Sequence, residues 1–279
     1  MYKQLISLTV AFVILTLIFW MVEFFWPGIP GQRRFRAGYG VDVFYWFFTP
    51  LVSKAVSQIA VLIVIVPILL LLGHRLDREA LRAGYGPVLM LPRWAQTLAI
   101  LMVGDFIGYW SHRWFHGRRL WKFHAVHHSS KELDWLSAAR LHPVNEIVSR
   151  VLQSLPFVFL GFSPLVIAAY MPLLTFYAIF VHANVSWDFG PLRYVIATPL
   201  FHRWHHTCED EAMDTNFAGL LPVWDLLFGT LYLPKGKTPA KFGVHDDSVP
   251  GEFWAQMTYP FDGRKPMRVN RSEDFRRTT

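Results

Sequence analysis

The sequence predicts an all-α protein: an integral membrane helical bundle with a cytosolic helical cap that carries a histidine-rich dimetal site. Three observations predict it. The 279 residues are 53% hydrophobic and 16% aromatic, too apolar for an ordinary soluble domain of that length. Apolar runs near the length that crosses a bilayer core, about 20 residues, recur along the chain. Eight histidines fall in three tight clusters, His112-Arg-Trp-Phe-His116, His124-Ala-Val-His127-His128 and His202-Arg-Trp-His205-His206.

The first element is a helix over Leu5 to Trp26, almost continuously apolar and ended by Pro27-Gly28-Ile29-Pro30-Gly31. Its length and its large terminal residues, Glu23-Phe24-Phe25-Trp26, read as a retained transmembrane helix rather than a cleavable signal. Arg33, Arg34 and Arg36 follow, then an aromatic run from Phe44 to Phe48 suited to a membrane interface. Val56 to Leu72 is the second span, with Pro67 predicting a kink. A charged loop from His74 to Arg93 leads to the third span, Trp94 to Trp110, which runs directly into the first histidine cluster. Ile147 to His182 is apolar again and is broken by Gly161-Phe162-Ser163-Pro164, the pattern of a helical hairpin whose ends return to one side of the membrane. Arg36-Ala37-Gly38-Tyr39-Gly40 recurs as Arg82-Ala83-Gly84-Tyr85-Gly86, a reused turn. Three regions result. Residues 1–93 hold the N-terminal spans and charged loop, 94–245 the histidine clusters with the hairpin, and 246–279 a basic, disordered tail.

A formal charge of +7 comes largely from arginines between the apolar segments and in the tail, a distribution that suits anionic lipid headgroups. No nucleic-acid-binding motif accompanies it. The single cysteine, Cys208, excludes an internal disulfide framework, so nothing demands an oxidising compartment, and a site on the cytoplasmic face fits. Charge in the loops sets the orientation only weakly, because Arg75, Arg78, Arg82 and Arg93 would lie opposite Arg33, Arg34 and Arg36.

On a helix, residues three or four apart share one face, so each cluster aims its imidazoles at one point. Imidazole binds zinc, copper, nickel and iron, and eight imidazoles exceed what one tetrahedral ion uses. At least two ions are implied, held by His112, His116, His124, His127, His128, His202, His205 and His206. His142, which opens His142-Pro143-Val144-Asn145-Glu146, and His182, at the end of the hairpin, are further candidate ligands. His142 also suits a helix cap, because Pro143 fits a first turn. His74 and His245 lie outside this region and are read as solvated, and Cys208 as a small buried residue. Metal-bound imidazole normally donates its other nitrogen to a carboxylate or carbonyl, which makes Asp105, Glu146, Asn184, Asp188, Asp214 and Asp225 candidate supporting residues. Asp105 stands out as an acid inside a predicted span, two turns before His112.

The three clusters, with Asn216-Phe217-Ala218-Gly219 and Trp224-Asp225-Leu226-Leu227-Phe228-Gly229-Thr230, resemble the fatty acid hydroxylase family, also called the sterol desaturase family, over Val103 to Leu233. The resemblance implies a membrane-bound non-haem di-iron oxygenase that hydroxylates or desaturates a sterol, fatty acyl chain or related lipid, with the eight cluster histidines as ligands of two iron ions. Acyl 2-hydroxylase members carry a histidine pair four apart at the end of the last membrane helix, whereas His182 is followed at that spacing by Ser186. Here His182-Ala183-Asn184 looks more like the sterol-modifying and bacterial branches. Cleaving an unactivated C–H bond requires dioxygen and a redox metal, which zinc is not. With no flavin or nicotinamide fingerprint in the chain, electrons must come from another protein, a ferredoxin or a b-type cytochrome with its reductase. Competing readings are a membrane metal carrier or sensor, a b-type cytochrome with paired axial histidines, and a zinc-dependent lipid hydrolase.

Overall fold

The computed structural model describes residues 2–77, 79, 86–117, 119–162 and 164–263. Among them are ten α-helices and no strand, Thr207 and Phe242 forming an isolated bridge. Helix α1 (Tyr2–Phe25) is the first apolar run. Its Ser7 and Thr9 hydroxyls donate to the carbonyls of Lys3 and Leu5, one turn back, so they present no open donor to apolar surroundings. Helix α2 (Tyr39–Phe48) continues through a π-helical turn (Thr49–Ser53) into α3 (Lys54–Leu71), which carries Pro67 within it. Residues Tyr2–Phe25 and Tyr39–Leu71 are thus two helical rods long and apolar enough to cross a bilayer.

Helix α4 (Arg93–Phe115) delivers the first histidine cluster in its last turn, and α5 (Trp121–His128) is almost entirely the second. A 3-10 turn (Trp135–Ala139) leads to α6 (Pro143–Leu160), which packs along α3 and α4. Gly161 closes α6 in the left-handed region, φ 76°, as a residue without a Cβ can do at no steric cost. Helix α7 (Pro164–His182) runs back, so the predicted hairpin is present as α6 and α7 and both of its ends meet the same layer. The third cluster lies on α8 (Pro199–His206), started by Pro199 and by Thr198, whose hydroxyl accepts from Phe201 N–H at 3.1 Å. Short α9 (Val223–Leu227) and α10 (Phe253–Thr258) complete the cap.

An aromatic cluster joins the apolar rods to this cap. Phe19 of α1 stacks on Trp135 with ring centroids 5.5 Å apart, and Phe12 and Trp46 pack on the same indole. Tyr45 and Trp46 are therefore buried against the cap, and the run from Phe44 to Phe48 is in part core, not a free interfacial belt. The tail also differs from expectation. Residues 246–263 are folded: Phe253 of α10 packs on Phe44, Tyr45 and Phe48, and Tyr45 Oη donates to Gln256 Oε1 at 3.0 Å. A six-residue helix is too short to show apolar periodicity, which is why it reads as tail. Residues 264–279, and Arg82 to Tyr85 of the repeated pentapeptide, lie outside the described residues.

Because Trp135 is buried to within 1% and holds α1, α2 and the cap together, Trp135→Ala is expected to lower stability by about 3–5 kcal/mol. Thermal unfolding in detergent measures it; an unchanged melting temperature contradicts this role.

Candidate metal centre

The chain brings nine histidines together at the ends of α4, α5, α7 and α8. They form two groups, His112, His116, His124, His128 and His205 in one, and His127, His182, His202 and His206 in the other. Within each group the ligand nitrogens all lie within 4.8 Å of one another. The predicted cluster histidines and His182 are therefore assembled, but not cluster by cluster. On α5 the pair His124 and His128, four apart, enters the five-membered group while His127 enters the other. On α8 the assignment is reversed, His202 and His206 in the four-membered group and His205 in the five-membered one. A residue at i+3 trails i by about 60° and i+4 by about 100° around the helix, enough to face a second centre. Each of these two clusters thus serves both groups, which corrects the expectation of one aim point per cluster.

The second ring nitrogen of many of these histidines is committed. In the five-membered group His112 Nδ1–H donates to the Phe217 carbonyl at 2.7 Å, and His205 Nδ1–H to the Thr215 carbonyl at 2.8 Å. His124 Nδ1 meets Asn145 Oδ1 at 2.8 Å, and His116 Nδ1 meets Asp214 Oδ1 at 3.0 Å. In the four-membered group His127 Nδ1–H donates to the Arg140 carbonyl at 2.9 Å and His182 Nδ1–H to the Ala178 carbonyl at 2.6 Å. A carbonyl only accepts, so these contacts assign the proton to Nδ1 and leave a bare lone pair on Nε2.

The lone pairs then face each other. His127 Nε2 lies 3.2 Å from His182 Nε2, and His112 Nε2 lies 3.0 Å from His124 Nε2. His202 Nε2 is 3.1 Å from both His182 Nε2 and His206 Nε2, and one proton serves at most one of these two contacts. Two neutral imidazoles with protonated Nδ1 share no proton across such a contact. An imidazolium would supply one, but burial, followed by the crowding of neighbouring histidines, pushes His124, His127, His128, His202, His205 and His206 well below the usual histidine range. His205 Nε2 is buried with no hydrogen-bond partner at all. A cation between these nitrogens resolves both problems, and metal–nitrogen bonds of about 2.0–2.1 Å place neighbouring ligand nitrogens roughly 3 Å apart. The donor set fits two metal ions.

A loop after α8 acts as a comb for the five-membered group. Asp214 and Asn216 both take left-handed backbone, φ 55° and 57°, and the alternation presents the Asp214 side chain, the Thr215 carbonyl and the Phe217 carbonyl to three different histidines. Asn216 locks it by donating to the carbonyls of Phe201 and Tyr232 and accepting from Tyr232 N–H. Asp225 accepts from the N–H groups of Phe217 and Ala218 and from the Thr230 hydroxyl. The motif residues Asn216, Asp225 and Thr230 thus position a carbonyl, and Asp225 supports His112 only through Phe217.

Of the other expected supports, only Asp214 touches a histidine of the groups. Asp105 accepts instead from the N–H groups of Leu220 and Leu221, holding the end of the same loop. Glu146 pairs with Arg150 one turn on, at 2.7 Å, and Asp188 pairs with Arg193 at 2.9 Å. Asn184 is bonded to Ile29 through both ends of its amide. His142 is in neither group: it caps α6, Nδ1 accepting from Val144 N–H at 3.1 Å, while Nε2 donates to the Met257 carbonyl at 3.2 Å. Cap and ligand both need a histidine beside a helix start, so sequence alone does not separate them. His74, His245 and Cys208 also fall outside both groups. The supports that sequence reasoning missed are Asn145 and four backbone carbonyls. Asn145, in His-Pro-Val-Asn-Glu, carried a signal in its place on the first turn of α6; a carbonyl carries none.

Comparison with known proteins agrees with this geometry. The fatty acid hydroxylase family model matches residues 97–230, which contain the three clusters and the comb. An ornithine lipid hydroxylase, OlsE, of Rhizobium tropici is 33% identical over 174 residues, 61% of this chain and 52% of the relative. An alkylglycerol monooxygenase of Danio rerio is 36% identical over 138 residues, 49% of this chain and 30% of the relative. A very-long-chain aldehyde decarbonylase, GL1-5, of Oryza sativa subsp. indica is 31% identical over 160 residues, 50% of this chain and 25% of the relative. The chain spans about half the length, or less, of these curated relatives. No solved structure matches it.

Histidines held neutral in the fold but free to protonate when unfolded make the unfolded chain bind more protons below about pH 6.5, so the stability of the metal-free protein is fully present above that pH and is lost as pH falls below it. Acid titration of metal-free protein in detergent, followed by circular dichroism, is expected to show a loss spread over several protons starting near pH 6.5. Metal-loaded protein should resist to lower pH; coincident curves contradict the assignment.

Proposed function

We propose that this chain, whose residues 97–230 match the fatty acid hydroxylase family model, is a membrane-embedded oxidoreductase of that family that uses dioxygen and external electrons to hydroxylate, or desaturate, a lipid. The observation that carries the reading is the set of buried imidazole lone pairs turned toward one another in two groups, which together provide nine nitrogen ligands. Two non-haem iron ions are the proposed occupants. Bound there, redox-active iron supplies the dioxygen chemistry that an unactivated C–H bond demands.

The protein's own part is positional. The Phe217, Thr215, Arg140 and Ala178 carbonyls fix the tautomer and plane of the rings they accept from. The aromatic and aliphatic packing around them keeps water from the ligand nitrogens. Exposed apolar rows on α1 (Val10, Leu17, Met21) and α3 (Ile59, Ile63, Leu71) suit lipid tails, so the rods are proposed to span the bilayer, with the histidine layer at its cytoplasmic edge. The Arg34 guanidinium over the Trp20 and Phe24 rings suits the headgroup boundary on that side. Substrates named for the relatives, ornithine lipids, alkylglycerols and very-long-chain aldehydes, favour a lipid with a polar end and a long chain. Electrons are proposed to arrive from a ferredoxin or a b-type cytochrome with its reductase.

Purified protein is expected to hold two irons per chain and to yield an oxidised lipid only with dioxygen and reductant, the substrate being identified by comparing lipids of cells with and without the gene. His127→Ala should lower turnover more than about 100-fold while the protein stays in the membrane fraction. Zinc in the site with activity in anaerobic buffer would instead establish a lipid hydrolase.

A further inference from the structure

Four charged side chains lie buried beside the four-membered group, and two of them come from the region before the matched domain. Arg36 forks onto Asp134, Nε to Oδ2 at 2.8 Å and Nη2 to Oδ1 at 2.6 Å, and its Nη2 also donates to Asp42 Oδ2 at 2.7 Å. The other oxygen of Asp42 accepts from Arg140 Nε at 2.6 Å, and Arg140 Nη1 reaches Ser129 Oγ, next to His128, at 2.9 Å. None of the four is more than 5% exposed. Gly38 lets them meet, since a Cβ there would stand 2.8 Å from Arg140 Nη2.

Burying two ion pairs costs desolvation that their attraction only roughly offsets, so stability alone does not account for the quartet. Its geometry does point to a target. The carbonyl of Arg140 is the acceptor that orients His127, and the Arg140 side chain is clamped by Asp42 on one side and by the end of α5 on the other. The same frame holds the neighbours of the group's other histidines. Arg203, between His202 and His205, donates to the carbonyls of Leu133 and Ala183, and Gln32 donates to that Leu133 carbonyl as well. The ring nitrogens of the five-membered group are instead oriented from within the matched domain, by Asn145, Asp214, Thr215 and Phe217, and the quartet meets that group at Ser129, beside His128, and not through an orienting carbonyl.

We propose that Asp42, held by Arg36, is a positioning residue for the four-membered group: through Arg140 it fixes the carbonyl that orients His127, so the segment before the matched domain governs the occupancy of one metal site and not the other. This rests on the reading that each group takes one ion.

The test titrates cobalt(II) anaerobically into metal-free full-length protein in detergent and counts tight equivalents by ligand-field absorbance and by metal analysis after gel filtration. Wild type should take up two. Asp42→Asn, which keeps the shape but removes the charge between the two arginines, should keep one tight equivalent and bind the second at least tenfold more weakly, with helix content unchanged. Asn145→Leu should weaken the other equivalent, giving a different residual spectrum. A merely structural Asp42 would lower the melting temperature and leave both equivalents tight, and that result overturns the proposal, as does equal weakening of both in folded protein. If Asp42→Asn does not fold, Arg140→Lys, which keeps the charge and loses the Nε donor, is held to the same outcomes. Uptake of fewer than two equivalents by wild type overturns the two-site reading itself, and the inference with it.

Discussion

Neutral imidazoles are held with Nε2 lone pairs turned toward one another, away from water, and much of the surrounding fold serves to keep them so. Left alone, such contacts repel, and in a wet site the rings would rotate to find donors. Three things prevent it here. Carbonyls of Phe217, Thr215, Arg140 and Ala178 hold the opposite nitrogen of four rings. Helices α5 and α8 present their histidines from rigid, fully buried turns. Burial then keeps the rings from answering the repulsion by protonation. Packing energy elsewhere in the fold must hold this arrangement in place until a cation takes up the lone pairs, which is the sense in which the site is preorganised.

Helix periodicity also ties the two groups together. His127 and His128 are neighbours in the chain, as are His205 and His206, and each neighbour pair is divided between the groups. Successive Cα atoms are about 3.8 Å apart across a trans peptide, so the spacing of the two groups along α5 and α8 is fixed by the backbone, while the orientation of each ring is set by the partner of its second nitrogen. The interleaving makes the separation of the two histidine groups a property of backbone geometry.

What could be read from the sequence was what repetition encodes. Two copies of histidine, two residues, histidine pair announced α5 and α8, and the break at Gly161 announced the hairpin that returns His182 to the same layer. Choice of partner was not legible. Asp105, Glu146 and Asp188 are carboxylates of the right kind in the right region, but each found a nearer donor: loop amides, Arg150 and Arg193. The carbonyls that do the orienting belong to residues whose side chains say nothing about it. Arg36 reads only as one of three arginines after the first apolar run and Asp42 carries no signal, because a buried ion network is assembled across about a hundred residues and leaves no local pattern.

The two long apolar helices do more than present apolar surface, and Glu23 shows why. It sits in the last turn of α1, where a carboxylate is costly in apolar surroundings, yet its Oε1 accepts from Asn184 N–H at 2.9 Å and from Trp135 N–H at 3.4 Å. Those amides belong to the loop after His182 and to the 3-10 turn after the second histidine cluster. Gly28 N–H adds a bond to the Asn184 carbonyl at 2.8 Å, and Ile29 N–H one to the Asn184 side chain at 2.9 Å. The end of α1 therefore saturates the backbone of the segments that flank the four-membered group, groups that would otherwise lie buried without partners at a considerable cost. The placement of Glu23 joins the end of α1 and the histidine layer into a single mechanical unit, so that where the helix sits is also where the site sits.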